Sequence, residues 1–309
     1  MTHDPISRIA PPEADFPARA RQSLDVSFEF SPPRTEAMAQ QLWQAVNRLA
    51  PLRPAFFSVT YGAGGSTRQR THETVVRMKQ QTDIEPAAHL TCVAASRGEI
   101  DDVARAYWDS GIRHVVALRG DPPKDSGGKY QPHPDGYANA AELVAGLRRI
   151  APFQISVAGY PEIHPDSATE HADMENLRRK IDAGADRVIT QFFFEVDSFL
   201  RFRDRLHAAG VTVPIVPGIM PVSNFNGLKK MADMCGASLP GWLADLFTGL
   251  EEDPETRRMI AATVAGDMCR RLQSEGQCEF HFYTLNRADL AFAICHLLGV
   301  RPRPSGSHA

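Results

Sequence analysis

Hydrophobic and polar positions along the chain alternate between two rhythms. Short runs rich in β-branched and aromatic residues are separated by longer stretches in which apolar residues recur every three or four positions. The runs are DVSFEF from Asp25, AFFSVTY from Ala55, AAHLTC from Ala87, HVVALRG from His114, QISVAGY from Gln154, RVITQFFF from Arg187, VPIVPGIM from Val213 and EFHFYTL from Glu279. Those are eight predicted strands. The stretch EAMAQQLWQAVNRLA, with Met38, Leu42, Trp43, Val46 and Leu49 in helical spacing, typifies what lies between them. Gly184 and Gly210 read as helix stops, and RADLAFAICHLLG closes the series.

Strand and helix alternating eight times predict an α/β fold, a single (β/α)8 TIM barrel over about residues 24–302. A doubly wound sheet would need a glycine-rich turn after its first strand and an acid ending its second. The first strand ends FEFSPPR, and the one candidate turn, Gly62 to Gly65, follows the second strand with no acid about 20 residues on. Two segments interrupt the alternation. A Pro- and Gly-rich loop from Asp121 to Tyr137 follows the fourth strand, and a helical insertion from about Pro240 to Ser274 precedes the eighth. Loops after barrel strands build active sites, so the first reads as a lid. Residues 1–23 and 303–309 are expected to be tails, the first without the apolar core of a signal peptide.

Composition narrows the chemistry. With 34 basic and 37 acidic residues among 309, the net charge is −3, and no basic stripe stands out to grip a nucleic acid. No run approaches the roughly 18 apolar residues of a membrane span. The five cysteines, Cys92, Cys235, Cys269, Cys278 and Cys295, form no CxxC pair. A disulfide framework or structural zinc is not expected, and a reducing, cytoplasmic setting is. Walker loops, GxSxG elbows and HExxH spacings are all missing, so no metal set or nucleophilic triad is expected.

Strand parity sorts the remaining candidates, because side chains alternate faces. Val26, Phe28 and Phe30 share one face of the first strand, which places Ser27 and Glu29 on the other, inside the barrel. A carboxylate there is costly to bury without a purpose. It is either a structural acid paired with an arginine or a general acid. Ser58 and Thr60, then His89 and Thr91, share inward faces on the next two strands, while Arg119 and Asp121 share a parity after the fourth. That last pair is either a capping ion pair or part of a site. Gln191 precedes three phenylalanines, a setting suited to a planar heterocycle. Together these describe a mixed polar mouth for small-molecule chemistry, compatible with a bound organic cofactor.

At these strand ends the sequence resembles the methylenetetrahydrofolate reductases. The matching blocks are SFEFSPPR (from Ser27), SVTYGAGGSTRQRT (from Ser58), HLTC (from His89), GIRHVVALRGDPP (from Gly111), SVAGYPEIHP (from Ser156), DAGADRVITQFFF (from Asp182), PGIMPVSNF (from Pro217) and FHFYTLNR (from Phe280). The resemblance implies reduction of 5,10-methylenetetrahydrofolate to 5-methyltetrahydrofolate. Electrons would come from NAD(P)H by ping-pong kinetics through non-covalently held FAD. It implies Glu29 as general acid and Asp121 as the charge near flavin and pterin. Thr60, Tyr61, Ala63, His89, Arg119, Gly120, Asp121, Tyr160, His164, Asp173, Asn176, Arg179 and Lys180 would bind FAD. Gln191, Arg287 and Thr60 would bind substrate, and Tyr137 would neighbour the flavin.

The resemblance has gaps. Gly227 and Met231 stand where the bacterial pattern has a substrate-touching glutamine and phenylalanine, and the 121–137 loop is longer. Bacterial members are usually homo-oligomers, dimers or tetramers. A regulatory domain after the barrel is not expected, nor is control by S-adenosylmethionine. The competing readings are a flavin-free pterin-binding barrel that transfers a one-carbon group, and a catalytically silent binding barrel.

Overall fold

The computed structural model describes residues 24–62, 67–122, 130–222 and 224–303. Nine strand segments lie in one parallel sheet: β1 (Asp25–Phe30), β2 (Phe56–Val59), β3 (Pro86–Thr91), β4 (His114–Leu118), β5 (Gln154–Gly159), β6 (Arg187–Thr190), β7 (Ile215–Val216), β8 (Gly218–Ile219) and β9 (Glu279–Tyr283). Their order is β7-β6-β5-β4-β3-β2-β1-β9-β8. The segments β7 and β8 are the two halves of the seventh expected strand, divided at Pro217, whose ring nitrogen has no hydrogen to give a ladder. Because β7 pairs with β6 and β8 with β9, the two edges meet in one chain segment and the sheet closes. The fold is the expected (β/α)8 barrel.

At this seam only two residues pair on each side. Thr190 reinforces it: its hydroxyl accepts from Gly218 N at 3.0 Å, and its carbonyl accepts from the Tyr283 hydroxyl at 2.7 Å. Gly218 tolerates no side chain here, since a Cβ would fall 2.1 Å from the Thr190 carbonyl oxygen.

The helices are α1 (Glu36–Leu49), α2 (Arg68–Gln81), α3 (Arg97–Asp109), α4 (Ala140–Ile150), α5 (Glu170–Asp182), α6 (Val196–Ala208), α7 (Phe225–Cys235), α8 (Gly241–Phe247), α9 (Pro254–Ser274) and α10 (Asp289–Leu297). The last stretch before β9 holds α8 and α9, the expected helical insertion. Gly184 and Gly210 follow α5 and α6 with φ of 114° and 81°, as their role as stops requires. Arg303 N donates to the Pro51 carbonyl at 2.8 Å.

Parity places the core. Phe28, Phe57, Phe280 and Phe282 are fully buried between sheet and helices, and Phe28 stacks on Phe282 at 5.7 Å. One difference concerns the sixth run. Strand β6 stops at Thr190, and Phe192, Phe193 and Phe194 leave it for the approach to α6, where Phe193 stacks on Phe199 at 5.3 Å. Their continuous apolar character reflects burial in a loop, not pleating.

Candidate active site

The barrel interior holds a small apolar plug, Phe56, Ala87, Val116 and Ile189, with Leu118 packed against it. Polar residues flank this plug. Toward the N-terminal ends of the strands, His114 Nε2 lies 2.8 Å from Ser156 Oγ and Arg187 pairs with Glu279 at 2.9 Å. Burial holds His114 uncharged, its pKa pushed down to about 3.

Toward the mouth stands Glu29, its side chain 19% exposed, with His89 Nε2 3.5 Å from its Oε2. Burial pushes the His89 imidazole down to about 4, the nearby Glu29 carboxyl opposing this only in part, so the contact is between a carboxyl and a neutral ring at pH 7. The arginine-paired alternative for Glu29 is not what the structure contains; imidazoles surround it. His89 Nε2, Ser58 Oγ and Thr91 Oγ1 are buried without a hydrogen-bond partner. Unmatched polar atoms at a barrel mouth mark a place where a ligand supplies partners.

The loop after β9 fixes the neighbouring rim. Leu285 and Asn286 adopt left-handed φ of 50° and 58°. Asn286 repays that strain by accepting from Ser31 N at 2.8 Å and donating to the Ser31 carbonyl at 2.9 Å, while Thr284 Oγ1 donates to the Glu29 carbonyl at 2.6 Å. The residue bearing the acid and the loop bearing Arg287 are thereby clasped together. Arg287, Tyr283 and Pro221 line a cavity of about 490 Å³ on this side.

A second cavity, of about 470 Å³, opens beside β3, β4 and β5. Tyr61, Arg119, Gly120, Asp121, Tyr160, His164, Asn176, Arg179 and Lys180 line it, nine of the thirteen residues expected to hold a cofactor. Gly120, at φ 87°, packs so closely that a Cβ would lie 2.6 Å from Val93 and 2.8 Å from Thr91. Lys180 is 7% exposed and donates to the Ala158 carbonyl at 2.6 Å; burial lowers its pKa to about 8. Leu177 is buried, with Met174 and Ile181 packed beside it, so the apolar stripe of α5 holds the adjacent polar edge against the cavity.

Four expected cofactor residues stand elsewhere. His89 lies deeper, against Glu29. Thr60 sits at the end of β2, its hydroxyl donating to Ser31 Oγ at 3.4 Å. Asp173 shapes the rim, accepting from Ser167 Oγ at 2.9 Å and from His164 N. Ala63 lies outside the described residues. Gln191 lines neither cavity; its Oε1 folds back to accept from Phe192 N at 3.0 Å. Gly227 N caps onto Asn224 Oδ1 at 3.1 Å and Met231 packs partly buried on the core, both in the first turns of α7.

Two contacts sort the remaining candidates. Arg119 pairs with Asp166 at 2.7 Å, not with Asp121, which leaves the Asp121 carboxylate available at the rim. Tyr137 does not line the cavity; it is 2% exposed and donates its hydroxyl to Asp101 at 2.7 Å. Its place is taken by Tyr130, a residue the sequence did not single out, which lies under the Arg119 guanidinium at 4.5 Å and donates to the Ala138 carbonyl. Among the described residues no group of three or more His, Cys, Asp or Glu side chains could hold a metal ion, and no helix is long and apolar enough to cross a membrane.

A closed parallel barrel with an acid and two cavities at its C-terminal mouth defines a small-molecule enzyme of the (β/α)8 class. Comparison with known proteins makes this specific. The sequence profile described as "Methylenetetrahydrofolate reductase" matches residues 16–299. A 5,10-methylenetetrahydrofolate reductase of Pectobacterium carotovorum is 54% identical over 92% of this chain and 93% of its own. That of Escherichia coli is 53% identical over 92% and 94%. The chain belongs to the methylenetetrahydrofolate reductase family. Among solved structures, an uncharacterized protein from Clostridium thermocellum that binds two copies of 5-methyl-5,6,7,8-tetrahydrofolic acid shares the fold. It has a TM-score of 0.63 at 13% identity and covers 91% of this chain and 96% of that one.

Proposed function

We propose that this barrel reduces 5,10-methylenetetrahydrofolate to 5-methyltetrahydrofolate, with NAD(P)H as electron donor and FAD as resident cofactor. Membership of the reductase family makes the chain an oxidoreductase. When bound, FAD relays two electrons from one substrate to the other. The residues present fit it. Arg119, Arg179 and the buried ammonium of Lys180 suit a pyrophosphate, and the unpartnered Thr91 hydroxyl suits a polar heterocycle edge. Tyr61, His89, Gly120, Asp121, Tyr160, His164 and Asn176 complete the set, with Thr60, Asp173 and Ala63 as supporting positions.

Glu29 gives its proton to the leaving nitrogen of the folate's five-membered ring, opening it to an iminium cation ready for hydride. Asp121, unpaired with Arg119, favours that cation by its charge. Gln191 turns its amide to the pterin and nicotinamide, and Arg287 meets the carboxylate end of the folate in the cavity beside Tyr283. The observation that carries this reading is the half-buried carboxyl of Glu29 beside unpartnered polar atoms at the mouth of a family barrel.

The test is direct. The purified protein is expected to be yellow and to release FAD on denaturation. Stopped-flow on Glu29→Gln is expected to show flavin reduction by NAD(P)H retained and folate reduction lost. A colourless protein that takes up no flavin would instead point to one-carbon transfer. Exposed Met234, Trp242, Leu246 and Met259 on α7, α8 and α9 support a homo-oligomer, which light scattering measures. Five cysteines without a disulfide suit a cytoplasmic setting.

A further inference from the structure

Glu29 faces two imidazoles from two different strands. His89 Nε2 of β3 and His281 Nε2 of β9 lie 3.5 and 3.8 Å from the same oxygen, Oε2. His281 alone is anchored at its far nitrogen. Its Nδ1 lies 2.7 Å from Ser27 Oγ, and both residues are almost wholly buried. Ser27 shares the inward parity of Glu29, two positions earlier on β1. Its hydroxyl also reaches the Phe280 carbonyl at 3.4 Å, a group that can only accept.

A hydroxyl has one hydrogen. If Ser27 spends it on the Phe280 carbonyl, the 2.7 Å contact needs its hydrogen from His281. The imidazole then carries its proton on Nδ1 and turns a bare Nε2 toward Glu29. Across 3.8 Å, outside hydrogen-bond reach, the lone pair of a bare nitrogen repels an ionised carboxylate and so favours the protonated carboxyl.

We infer that Ser27 and His281 are positioning residues for the acid: Ser27 fixes the tautomer of His281, and His281 holds the proton on Glu29 until the folate nitrogen takes it. This rests on the reading of Glu29 as general acid. The other groups facing the pair are accounted for. His89 on β3 and His114 on β4 are kept neutral by burial, and burial also keeps the Tyr283 phenol of β9 protonated. Phe56 of β2 stacks on the His281 ring at 5.6 Å. Arg187 of β6, beyond Phe56, is paired with Glu279.

Stopped-flow measurement of the two half-reactions across pH, on the FAD-loaded enzyme, tests this. Ser27→Ala leaves the Nδ1–H without an acceptor, so the proton moves to Nε2 and turns a positive N–H edge toward Glu29, which favours the ionised carboxylate. The alkaline limb of the folate half-reaction then shifts down by about one pH unit, about a tenfold loss of rate above the limb. Flavin reduction by NAD(P)H keeps its profile, and Ser27→Thr, which restores a hydroxyl, restores the limb. Nitrogen-15 spectra of labelled histidines give an independent reading. The His281 signal, identified by its loss in His281→Asn, is expected to show the proton on Nδ1 in the native protein and on Nε2 in Ser27→Ala. A native Nε2 proton, or a limb that stays or moves up in Ser27→Ala, overturns the inference. Glu29 keeps its role in that case as long as Glu29→Gln abolishes the folate half-reaction. If Glu29→Gln retains it, the assignment of Glu29 falls and this inference falls with it.

Discussion

Polar side chains occupy the barrel interior at two depths and are treated differently at each. Near the N-terminal ends of the strands, His114 meets Ser156 and Arg187 meets Glu279. At the mouth, Ser58, His89 and Thr91 present hydroxyls and a ring nitrogen to no hydrogen-bond partner. Burying a polar group is costly unless something bonds to it. The deep residues meet part of that cost with each other, one contact apiece, although His114 Nδ1 and Arg187 Nε are also without a hydrogen-bond partner. The mouth groups leave it outstanding for a ligand to settle. An unmatched polar atom therefore counts toward a site by where it stands, as Thr91 Oγ1 does beside a cavity at the mouth, since Glu85, Tyr107 and His296 carry unmatched atoms elsewhere.

Substitutions can break or sharpen this division. The largest effect is expected from Glu29→Gln, with the folate half-reaction slowed by about a hundredfold to ten-thousandfold in single-turnover measurements. Lys180→Met is expected to weaken FAD binding by about tenfold to a hundredfold in fluorescence titration, because a charge-assisted contact is lost. The apoprotein should melt no lower, since a desolvated ammonium has been removed. At depth the expectation reverses. Ser156→Ala strips His114 of its partner and should lower stability in urea by about 1–3 kcal/mol, with FAD affinity unchanged.

Acid probes the same pair. His114 titrates near 6.5 when unfolded and near 3 when folded, so below pH 6.5 the unfolded chain binds the extra proton. Its contribution is fully present above that pH and is lost on acidification, by about 2 kcal/mol at pH 5. His114→Gln should flatten that slope. The smallest effect is expected from Thr91→Val, which removes an unmatched mouth hydroxyl and should leave stability within about 0.5 kcal/mol. A loss as large as that of Ser156→Ala would dissolve the distinction between the two depths.

Much of the site was legible from parity alone. Alternation put Phe28 outside and Ser27 and Glu29 inside, and the structure agrees. Asp173, Asn176 and Lys180 on α5 were not legible in this way; by pattern alone they read as a solvated face, and only the family resemblance singled them out. What parity could not supply was partnership across the fold. The contact between Ser27 and His281 joins strands 254 residues apart, and Arg119 finds Asp166 only because two mouth loops converge. Tyr130 was hidden in a loop whose prolines and glycines signal irregular chain without saying which side chain turns inward. The run of phenylalanines after Gln191 misled for a related reason: apolar residues in sequence report burial, and a buried loop reads like a buried strand.

The division of the seventh strand at Pro217 has a consequence for how the barrel moves. Every other strand is zipped along several residues, whereas here the ladder is brief and Thr190 stands in for the missing rungs. Thermal fluctuations should therefore part the cylinder along this line first, and deuterium should enter the amides of 215, 216, 218 and 219 ahead of those in β3 and β4. The wall that opens most easily adjoins Tyr283 and Pro221 at the cavity proposed for the folate, so the staves of the barrel are loosest beside the place where that reading admits a long substrate.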